Sequence, residues 1–237
     1  MNKKLITFPC AGGNANNFNK IIKNLDCKIY SMEYSGHWTR YEERMYASME
    51  DCIESLYSEI EEIVTETDDI FLLGHSMGAI VAYEIAVRLL EHGFIVKALF
   101  LLACMPPDEI DYQKILFENN DRIKIFLNKI RQIPSKVLDS EFFEEELLPS
   151  IRNDFSILSD YVIVSKLSKR IDVRIICISG VHDPLVIKMS GWQRYTSNIC
   201  ICIECEGDHF FLYDSSNISK IRDIISRQLS KNCERKT

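Results

Sequence analysis

The stretch that decides the fold is a tight serine turn between a strand pattern and a helix pattern, Gly74-His75-Ser76-Met77-Gly78. An apolar run at residues 70–73 precedes this turn, and a second apolar run at residues 79–86 follows it. The arrangement is the G-x-S-x-G pattern in a strand-turn-helix context, in which the turn presents the serine hydroxyl above a sheet. The two glycines allow the strand and the helix to approach closely. The sequence therefore predicts an α/β fold with Ser76 as a candidate nucleophile.

Strand patterns recur along the chain, with helix patterns between them. Six short runs are almost continuously apolar, as expected of buried strands in a parallel sheet that is covered on both faces: residues 5–8, 28–32, 70–73, 98–103, 173–178 and 199–203. Apolar residues at helical spacing predict helices over residues 49–64, 80–90 and 218–229. We therefore expect a single domain over residues 1–237, with a mostly parallel central sheet and helices on both of its faces.

One region interrupts this alternation. From residue 106 to about residue 169 the pattern is helical, at residues 115–133 and 141–164, and it contains no convincing strand. An all-helical insertion between two strands is typical of a lid over a site, and its length favours a lid over an ordinary elongated crossover. An apolar inner face of the lid is expected to line a tunnel, with contributions from Phe126, Leu127, Phe142, Phe143, Leu147 and Phe155.

Composition and charge exclude several classes of protein. The 237 residues are 46% hydrophobic and 27% charged, which is typical of a globular domain with a substantial core. The net charge of −7 argues against binding to nucleic acid or to an anionic membrane. The first apolar run is too short for a signal peptide, and no run approaches the ~20 apolar residues of a membrane span. We therefore expect a cytoplasmic protein, most simply a monomer, with no nucleic-acid or membrane partner.

The nine cysteines do not indicate a disulfide framework, because their number is odd and no secretory signal is recognised. Cys200, Cys202 and Cys205 cluster in an alternating apolar run that fits a buried strand, where cysteine behaves as a small hydrophobic residue. Paired C-x-x-C spacing and accompanying histidines, which mark many zinc sites, are missing from this run. The sequence therefore predicts no metal site.

A nucleophilic serine needs a base, and His209 is the strongest of the five candidates. It follows the last strand pattern through a turn, and this places it at the carboxyl edge of the sheet, where Ser76 is also expected. His75 is adjacent to Ser76, but a neighbouring side chain on a sharp turn points elsewhere. His92 ends the helix that follows the serine, and His37 lies in an early loop.

The acid that orients the base should lie between Ser76 and His209 in chain order. Asp183 follows the strand pattern at residues 173–178 and is our candidate. Asp108, after the preceding strand pattern, is the alternative, whereas Asp208 adjoins the histidine and is poorly placed to reach its far ring nitrogen.

An oxyanion hole requires two backbone N–H groups. Met77, at the start of the helix that follows Ser76, is expected to supply one. The other is expected from the glycine-containing loop at residues 9–13, which follows the first strand pattern.

Four motifs together give the chain a resemblance to a known family. They are Phe8-Pro9-Cys10-Ala11-Gly12-Gly13, Gly74-His75-Ser76-Met77-Gly78, Gly207-Asp208-His209-Phe210, and Leu148-Pro149-Ser150-Ile151-Arg152-Asn153-Asp154-Phe155 with Tyr161 after it. In these motifs, and over nearly its whole length, the chain resembles the type II thioesterases of polyketide and nonribosomal peptide synthesis, which have the α/β-hydrolase fold. The resemblance implies a standalone serine thioesterase that removes aberrant or stalled acyl groups from the phosphopantetheine arm of carrier proteins.

The resemblance also implies specific roles. Ser76, Asp183 and His209 would form the triad, and Ala11 and Met77 would give the oxyanion donors. The enzyme would need no cofactor of its own, because the substrate carries the phosphopantetheine, and its partners would be acyl- or peptidyl-carrier domains bound transiently. A small-molecule or lipid carboxylesterase on the same fold is the alternative. A catalytically silent binding protein is disfavoured by the complete order of serine, aspartate and histidine.

Two positions depart from the family pattern. Cys10 stands where the family usually has histidine or another large polar residue, and Ser35-Gly36-His37 stands where the family has Pro-Gly-Arg. Since the backbone carries the oxyanion role, we expect the first change to have a small effect. His37 is expected either to line the entrance of the site or to lie in a solvated loop.

Overall fold

A six-stranded sheet lies at the centre of the computed structural model, which describes residues 2–111, 117, 119–131, 135–164 and 169–231. All neighbouring strands are parallel, and their order across the sheet is β2-β1-β3-β4-β5-β6. The strands are β1 Lys3–Phe8, β2 Lys28–Ser31, β3 Asp69–His75, β4 Val96–Leu102, β5 Arg174–Gly180 and β6 Cys200–Cys205. This confirms the α/β class and all six predicted strands.

The order of the strands reverses at β1. The chain places β2 on one side of β1, and then places β3 and all later strands on the other side. In open α/β sheets ligands bind at such a switch point, outside the carboxyl ends of the strands. Here those ends are the loop after Phe8 and the turn at Ser76, so the topology brings the two predicted parts of the site together.

Helices cover the two faces of the sheet in separate groups. On one face α1 packs against α7, and on the other face α2 packs against both α3 and α6. Ser48 caps the start of α2 by accepting a hydrogen bond from the Asp51 amide. The helices are α1 Asn19–Ile22, α2 Met49–Glu61, α3 Met77–Glu91, α4 Asn120–Arg131, α5 Ser135–Leu138, α6 Leu148–Val164 and α7 Ser215–Lys231.

The two edge strands are less buried than the sequence predicts. In β2 no residue is fully buried, and in β6 only Cys205 is. Ile201 in β6 is 37% exposed, and Ile199 just before it is 56% exposed. The prediction of buried strands at residues 28–32 and 199–203 is therefore wrong. An edge strand has one neighbour instead of two, and the helices of this fold extend only partly over it.

The region between β4 and β5 is helical where the structure describes it. A 3-10 turn at Pro107–Glu109 is followed by α4, α5, a π-helical turn at Phe143–Leu147, and α6. The described residues of this region form no strand, as expected of an all-helical insertion. Residues 115, 116, 118, 132 and 133 of the helix predicted at residues 115–133, and the proline at position 134, lie outside the described residues.

Among the described helices, none combines the length and the apolar character that a bilayer crossing requires. The longest, α6 and α7, have 17 residues each and carry polar side chains that face solvent.

Candidate active site

The turn at Ser76 has a strained backbone that only its surroundings can hold. Ser76 has a φ of +54° although it is not a glycine, and its amide donates to the Leu102 carbonyl at 2.8 Å. A Cβ atom at Gly74 would lie 2.0 Å from the Gly78 carbonyl oxygen, and one at Gly78 would lie 2.2 Å from the Phe8 carbonyl oxygen. The prediction that both glycines permit a close backbone approach is confirmed.

The structure brings the three predicted side chains into one hydrogen-bonded chain. His209 Nε2 lies 3.0 Å from Ser76 Oγ, and His209 Nδ1 lies 2.8 Å from Asp183 Oδ2. A carboxylate can only accept, so Nδ1 carries the proton and Nε2 is left to accept from the serine hydroxyl. His209 and Asp183 are both buried, so water competes little for these bonds.

Contacts between the loops after β5 and β6 hold His209 and Asp183 together. The His182 amide donates to the Gly207 carbonyl at 3.0 Å, and a Cβ atom at Gly180 would lie 2.3 Å from the Asp208 carbonyl oxygen. Asp183 Oδ1 accepts from the Leu185 amide at 2.8 Å, which leaves Oδ2 to receive His209.

The alternative acids are engaged elsewhere. Asp108 accepts a hydrogen bond from the Tyr195 hydroxyl at 2.8 Å and forms an ion pair with Arg194 at 2.6 Å. Asp208 accepts from the Phe210 amide at 2.7 Å and so fixes the turn that carries the histidine. Of the three carboxylates, that of Asp183 lies within hydrogen-bond distance of the His209 ring.

His75 has a positioning contact that the sequence does not reveal. Its side chain is fully buried and packs against the rings of His209 and Phe210. Its Nε2 donates to the backbone carbonyl of His209 at 2.9 Å, and the two rings lie 5.1 Å apart. His75 therefore fixes the backbone of His209. Only the folded chain shows this, because the two residues are far apart in sequence.

The two predicted oxyanion donors lie on elements that meet at the switch point. Met77 is the first residue of α3, and Ala11 lies in the loop after β1. The Pro9 carbonyl oxygen in that loop would lie 2.4 Å from a Cβ atom at Gly78, so the loop packs directly on the start of α3. The Gly13 amide donates back to the Cys10 carbonyl at 2.8 Å, which tightens the loop around Ala11.

A buried ion pair joins this loop to α6. Asp154, in α6, accepts from the Gly12 amide at 2.8 Å and lies 2.9 Å from His37 Nε2. His37 Nδ1 lies 3.0 Å from the Ser35 carbonyl oxygen. Both ring nitrogens thus face oxygen atoms that can accept, an arrangement that favours the doubly protonated, charged ring.

The environment favours the charged form of His37. Burial alone would lower its pKa, but the hydrogen bond and the negative charge of Asp154 outweigh burial and raise it. His37 is 1% exposed, so the expectation of a solvated loop is wrong. It is also not among the residues that line the cavity or the cleft of the site.

Two spaces lie near this edge of the sheet, and the smaller one reaches the serine. A cavity of about 60 Å³ is lined by Ser76 and His209 together with Met77, Ala103, Cys104, Met105, Ile110, Asp111, Leu158, Leu185 and Val186. A cleft of about 600 Å³ runs from the Ala11 loop along the helical insertion. Leu127, Phe143 and Leu147 of the insertion line this cleft, as expected. Phe126 and Phe155 instead pack on Phe117, and Phe142 is 60% exposed.

The fold and the arrangement at Ser76 define the class of this protein, which is that of the α/β-hydrolases. The model of the thioesterase domain family matches residues 3–229, and the chain therefore belongs to that family.

Individual relatives agree with this family. The thioesterase TesA of Mycobacterium marinum is 27% identical over 88% of this chain and 84% of its own length. The probable anguibactin biosynthesis thioesterase AngT of Vibrio anguillarum is 26% identical over 86% of this chain and 83% of its own length. The solved structure of YbtT, a type II thioesterase from the yersiniabactin NRPS/PKS pathway, superposes with a TM-score of 0.82 at 21% identity, over 95% of this chain and 90% of that one.

Proposed function

We propose that this chain is a type II thioesterase that hydrolyses acyl groups from the phosphopantetheine arm of carrier proteins. The observation that carries this proposal is the chain of contacts from Ser76 through His209 to Asp183 in a member of the thioesterase family. Its relatives support the same substrate class, since AngT is named as a thioesterase of anguibactin biosynthesis and YbtT as a type II thioesterase from an NRPS/PKS pathway. Editing of aberrant or stalled chains is the role that follows.

Acylation of the enzyme begins at the serine. Ser76 Oγ attacks the thioester carbonyl carbon while His209 Nε2 takes the hydroxyl proton. The Ala11 and Met77 amides receive the negative oxygen that develops, and one such donor contributes about 3 kcal/mol to transition-state stabilisation. The C–S bond then breaks, and His209 returns its proton to the departing phosphopantetheine thiolate. The products are the free carrier thiol and an acyl ester on Ser76.

Deacylation repeats these steps with water. His209 takes a proton from a water molecule as its oxygen attacks the acyl carbon, and the proton then passes to Ser76 Oγ as the ester bond breaks. The carboxylate of Asp183 stabilises the histidine cation in both halves and holds Nδ1 as the donor. The chemistry needs no cofactor beyond the phosphopantetheine that the substrate brings.

The cavity at Ser76 and the larger cleft at the Ala11 loop suggest how the substrate lies. We assign the cavity of about 60 Å³ to the acyl group, because the base and mostly apolar side chains line it. We assign the larger cleft to the phosphopantetheine arm, because it opens beside the Ala11 loop. The helical insertion at about residues 106–169 then acts as a lid within a single domain, since its side chains contribute to both spaces. We place the enzyme in the cytoplasm as a monomer that meets its carrier transiently.

The experiment that tests this function compares two substrates with the same acyl group. One is an acyl-carrier protein, followed by the mass change of its arm, and the other is the p-nitrophenyl ester. Binding energy from the arm and the carrier should raise kcat/KM for the first at least about tenfold over the second. A chain that hydrolyses the free ester efficiently and leaves the carrier loaded would instead be a carboxylesterase on the same fold.

A further inference from the structure

Three cysteines converge where β5 pairs with β6. Cys177 of β5 stands opposite Cys202 of β6 in the register, and Cys200 precedes Cys202 by two positions, so all three side chains leave the same face of the sheet. The Sγ atoms of Cys177 and Cys200 lie 3.7 Å apart, and all three sulfur atoms lie within 4.8 Å of one another.

This grouping differs from the one visible in the sequence. Cys205 is near Cys200 and Cys202 in the chain, but its odd spacing from Cys202 turns it to the opposite face, where it is buried in the core under α7. Cys177, on the neighbouring strand, is the third member of the cluster instead of Cys205. The fold therefore assembles Cys177, Cys200 and Cys202, and not the set of Cys200, Cys202 and Cys205 that the sequence suggests.

We propose that Cys177, Cys200 and Cys202 form a binding site for a thiophilic d10 metal ion, zinc(II) or copper(I). Both ions favour thiolate ligands. With Zn–S bonds of about 2.3 Å, tetrahedral ligation places sulfur atoms about 3.8 Å apart. The pair at 3.7 Å already has this separation, and the third sulfur is close enough to reach it by a small side-chain rotation.

The position of the cluster allows an ion to enter. Cys177 is buried and Cys200 is half-buried, but Cys202 is exposed on the edge strand. An ion could reach the cluster beside Cys202 and keep a water molecule as a further ligand, as open three-ligand sites do. Binding replaces the three thiol protons with one cation and three S–metal bonds, so it releases up to three protons and is favoured by rising pH.

A bound ion would also join two strands that matter for the proposed chemistry. β5 leads to Asp183 and β6 leads to His209, and the ion would link the strands upstream of both residues. We therefore expect binding to raise the thermal stability of the protein. The site does not depend on the proposed hydrolase function, because none of its ligands is a proposed catalytic residue.

The test is a metal titration of the reduced, metal-free protein. Cobalt(II), a spectroscopic substitute for zinc, should give a thiolate-to-cobalt charge-transfer band that saturates at one equivalent and is displaced by zinc. Copper(I), added under anaerobic conditions, should saturate at the same stoichiometry if it is the preferred ion. The apparent Tm should rise with the preferred ion in a concentration-dependent way.

Matched variants decide whether these thiols are the ligands. Cys202→Ser, at an exposed position, should weaken binding at least about tenfold, and Cys200→Ser should do the same. Cys27→Ser removes a partly exposed thiol outside the cluster and should leave binding unchanged. The proposal is overturned if the wild type binds less than one equivalent of both ions, or if Cys202→Ser and Cys200→Ser bind as tightly as Cys27→Ser.

Discussion

At the scale of single residues, Ser76 shows how the fold forces a reactive geometry. A non-glycine residue in this backbone region costs on the order of 1–3 kcal/mol, which the surrounding structure must offset. The offset here comes from β3 and α3, whose backbones touch through Gly74 and Gly78. The strain belongs to the backbone, so replacing the hydroxyl alone should leave the turn intact.

We therefore expect Ser76→Ala to fold normally and to lose nearly all thioesterase activity, by about 10⁶-fold in kcat. Steady-state hydrolysis of an acyl-carrier protein measures the loss, and thermal unfolding verifies the fold. Ser58→Ala, at an exposed position of α2, is the matched control and should remain fully active. Substantial turnover by a folded Ser76→Ala protein would refute the proposed nucleophile.

The assignment of the acid rests on a choice between two aspartates. Asp183→Asn should preserve the fold but favour the wrong tautomer of His209, which would reduce kcat by about 10⁴-fold. Asp108→Asn should change kcat little, since Asp108 binds Arg194 and Tyr195 instead. Measurements of kcat on the two variants in parallel test this assignment. A large loss of kcat in Asp108→Asn, together with near-normal kcat in Asp183→Asn, would reverse it.

Some contacts of the candidate site could be predicted from local sequence patterns, and others could not. Ser76 lies in a motif, and Asp183 and His209 follow strand patterns whose carboxyl ends must share one edge of a parallel sheet. Their positions could therefore be predicted. The contact of His75 with the His209 carbonyl spans 134 residues, and that of Asp154 with Gly12 spans 142. No local pattern specifies such pairs, because they depend on how loops close against each other.

At the scale of elements, Asp154 connects α6 to the loop that carries Ala11. Asp154→Asn keeps the size of the side chain but removes the charge that faces His37. We expect kcat to fall about 10–100-fold with little change in KM, because the loop would hold its donors less firmly. Asp160→Asn, on an exposed position of the same helix, is the control. Unchanged kcat together with lower stability would show that Asp154 supports the fold alone.

The contact between His37 and Asp154 should also make the free energy of unfolding depend on pH. The folded protein raises the pKa of His37 above its value in the unfolded chain, so the charged pair stabilises the fold fully at low pH. This contribution should disappear as the pH rises from about 6.5 through the raised folded pKa. Urea unfolding across that range should therefore show a smaller fall in the free energy of unfolding for His37→Gln than for the wild type.

A control separates this effect from other histidines. His182 is highly exposed, so His182→Gln should retain the pH dependence of the wild type. If His37→Gln shows the same pH dependence as His182→Gln, then the His37–Asp154 pair does not titrate in this range.

Elements also show where periodicity fails as a guide. The apolar runs at residues 28–32 and 199–203 predict strands correctly, but β2 and β6 are edge strands with exposed positions. An apolar run indicates that its residues form a strand, but it does not indicate whether that strand lies at the centre or at the edge of the sheet. The order of strands decides that, and it also brought Cys177 beside Cys202.

At the scale of the whole molecule, the reversal of strand order at β1 explains why one site uses so many parts of the chain. It opens a crevice between the carboxyl ends of β1 and β3, and the later strands bring Asp183 and His209 to the same edge. The architecture could be predicted, because parallel strands with helical crossovers leave few alternatives. The sizes of the two spaces could not be predicted, because they depend on how the side chains of the helical insertion pack against the sheet.

Because different side chains of the helical insertion line the two spaces, substitutions in it can test each space separately. Leu158 of α6 lines the cavity beside Ser76, whereas Leu147 lines only the larger cleft. Leu158→Ala should enlarge the space for the acyl group and raise kcat/KM for longer acyl chains relative to acetyl. One methylene in such a pocket changes the rate by roughly 10–200-fold. Leu147→Ala should instead lower kcat/KM for carrier-bound substrates by a similar factor at every acyl chain length.

The measurement is kcat/KM over a series of acyl-carrier proteins that begins at acetyl. Identical chain-length profiles for both variants would show that the cavity does not hold the acyl group.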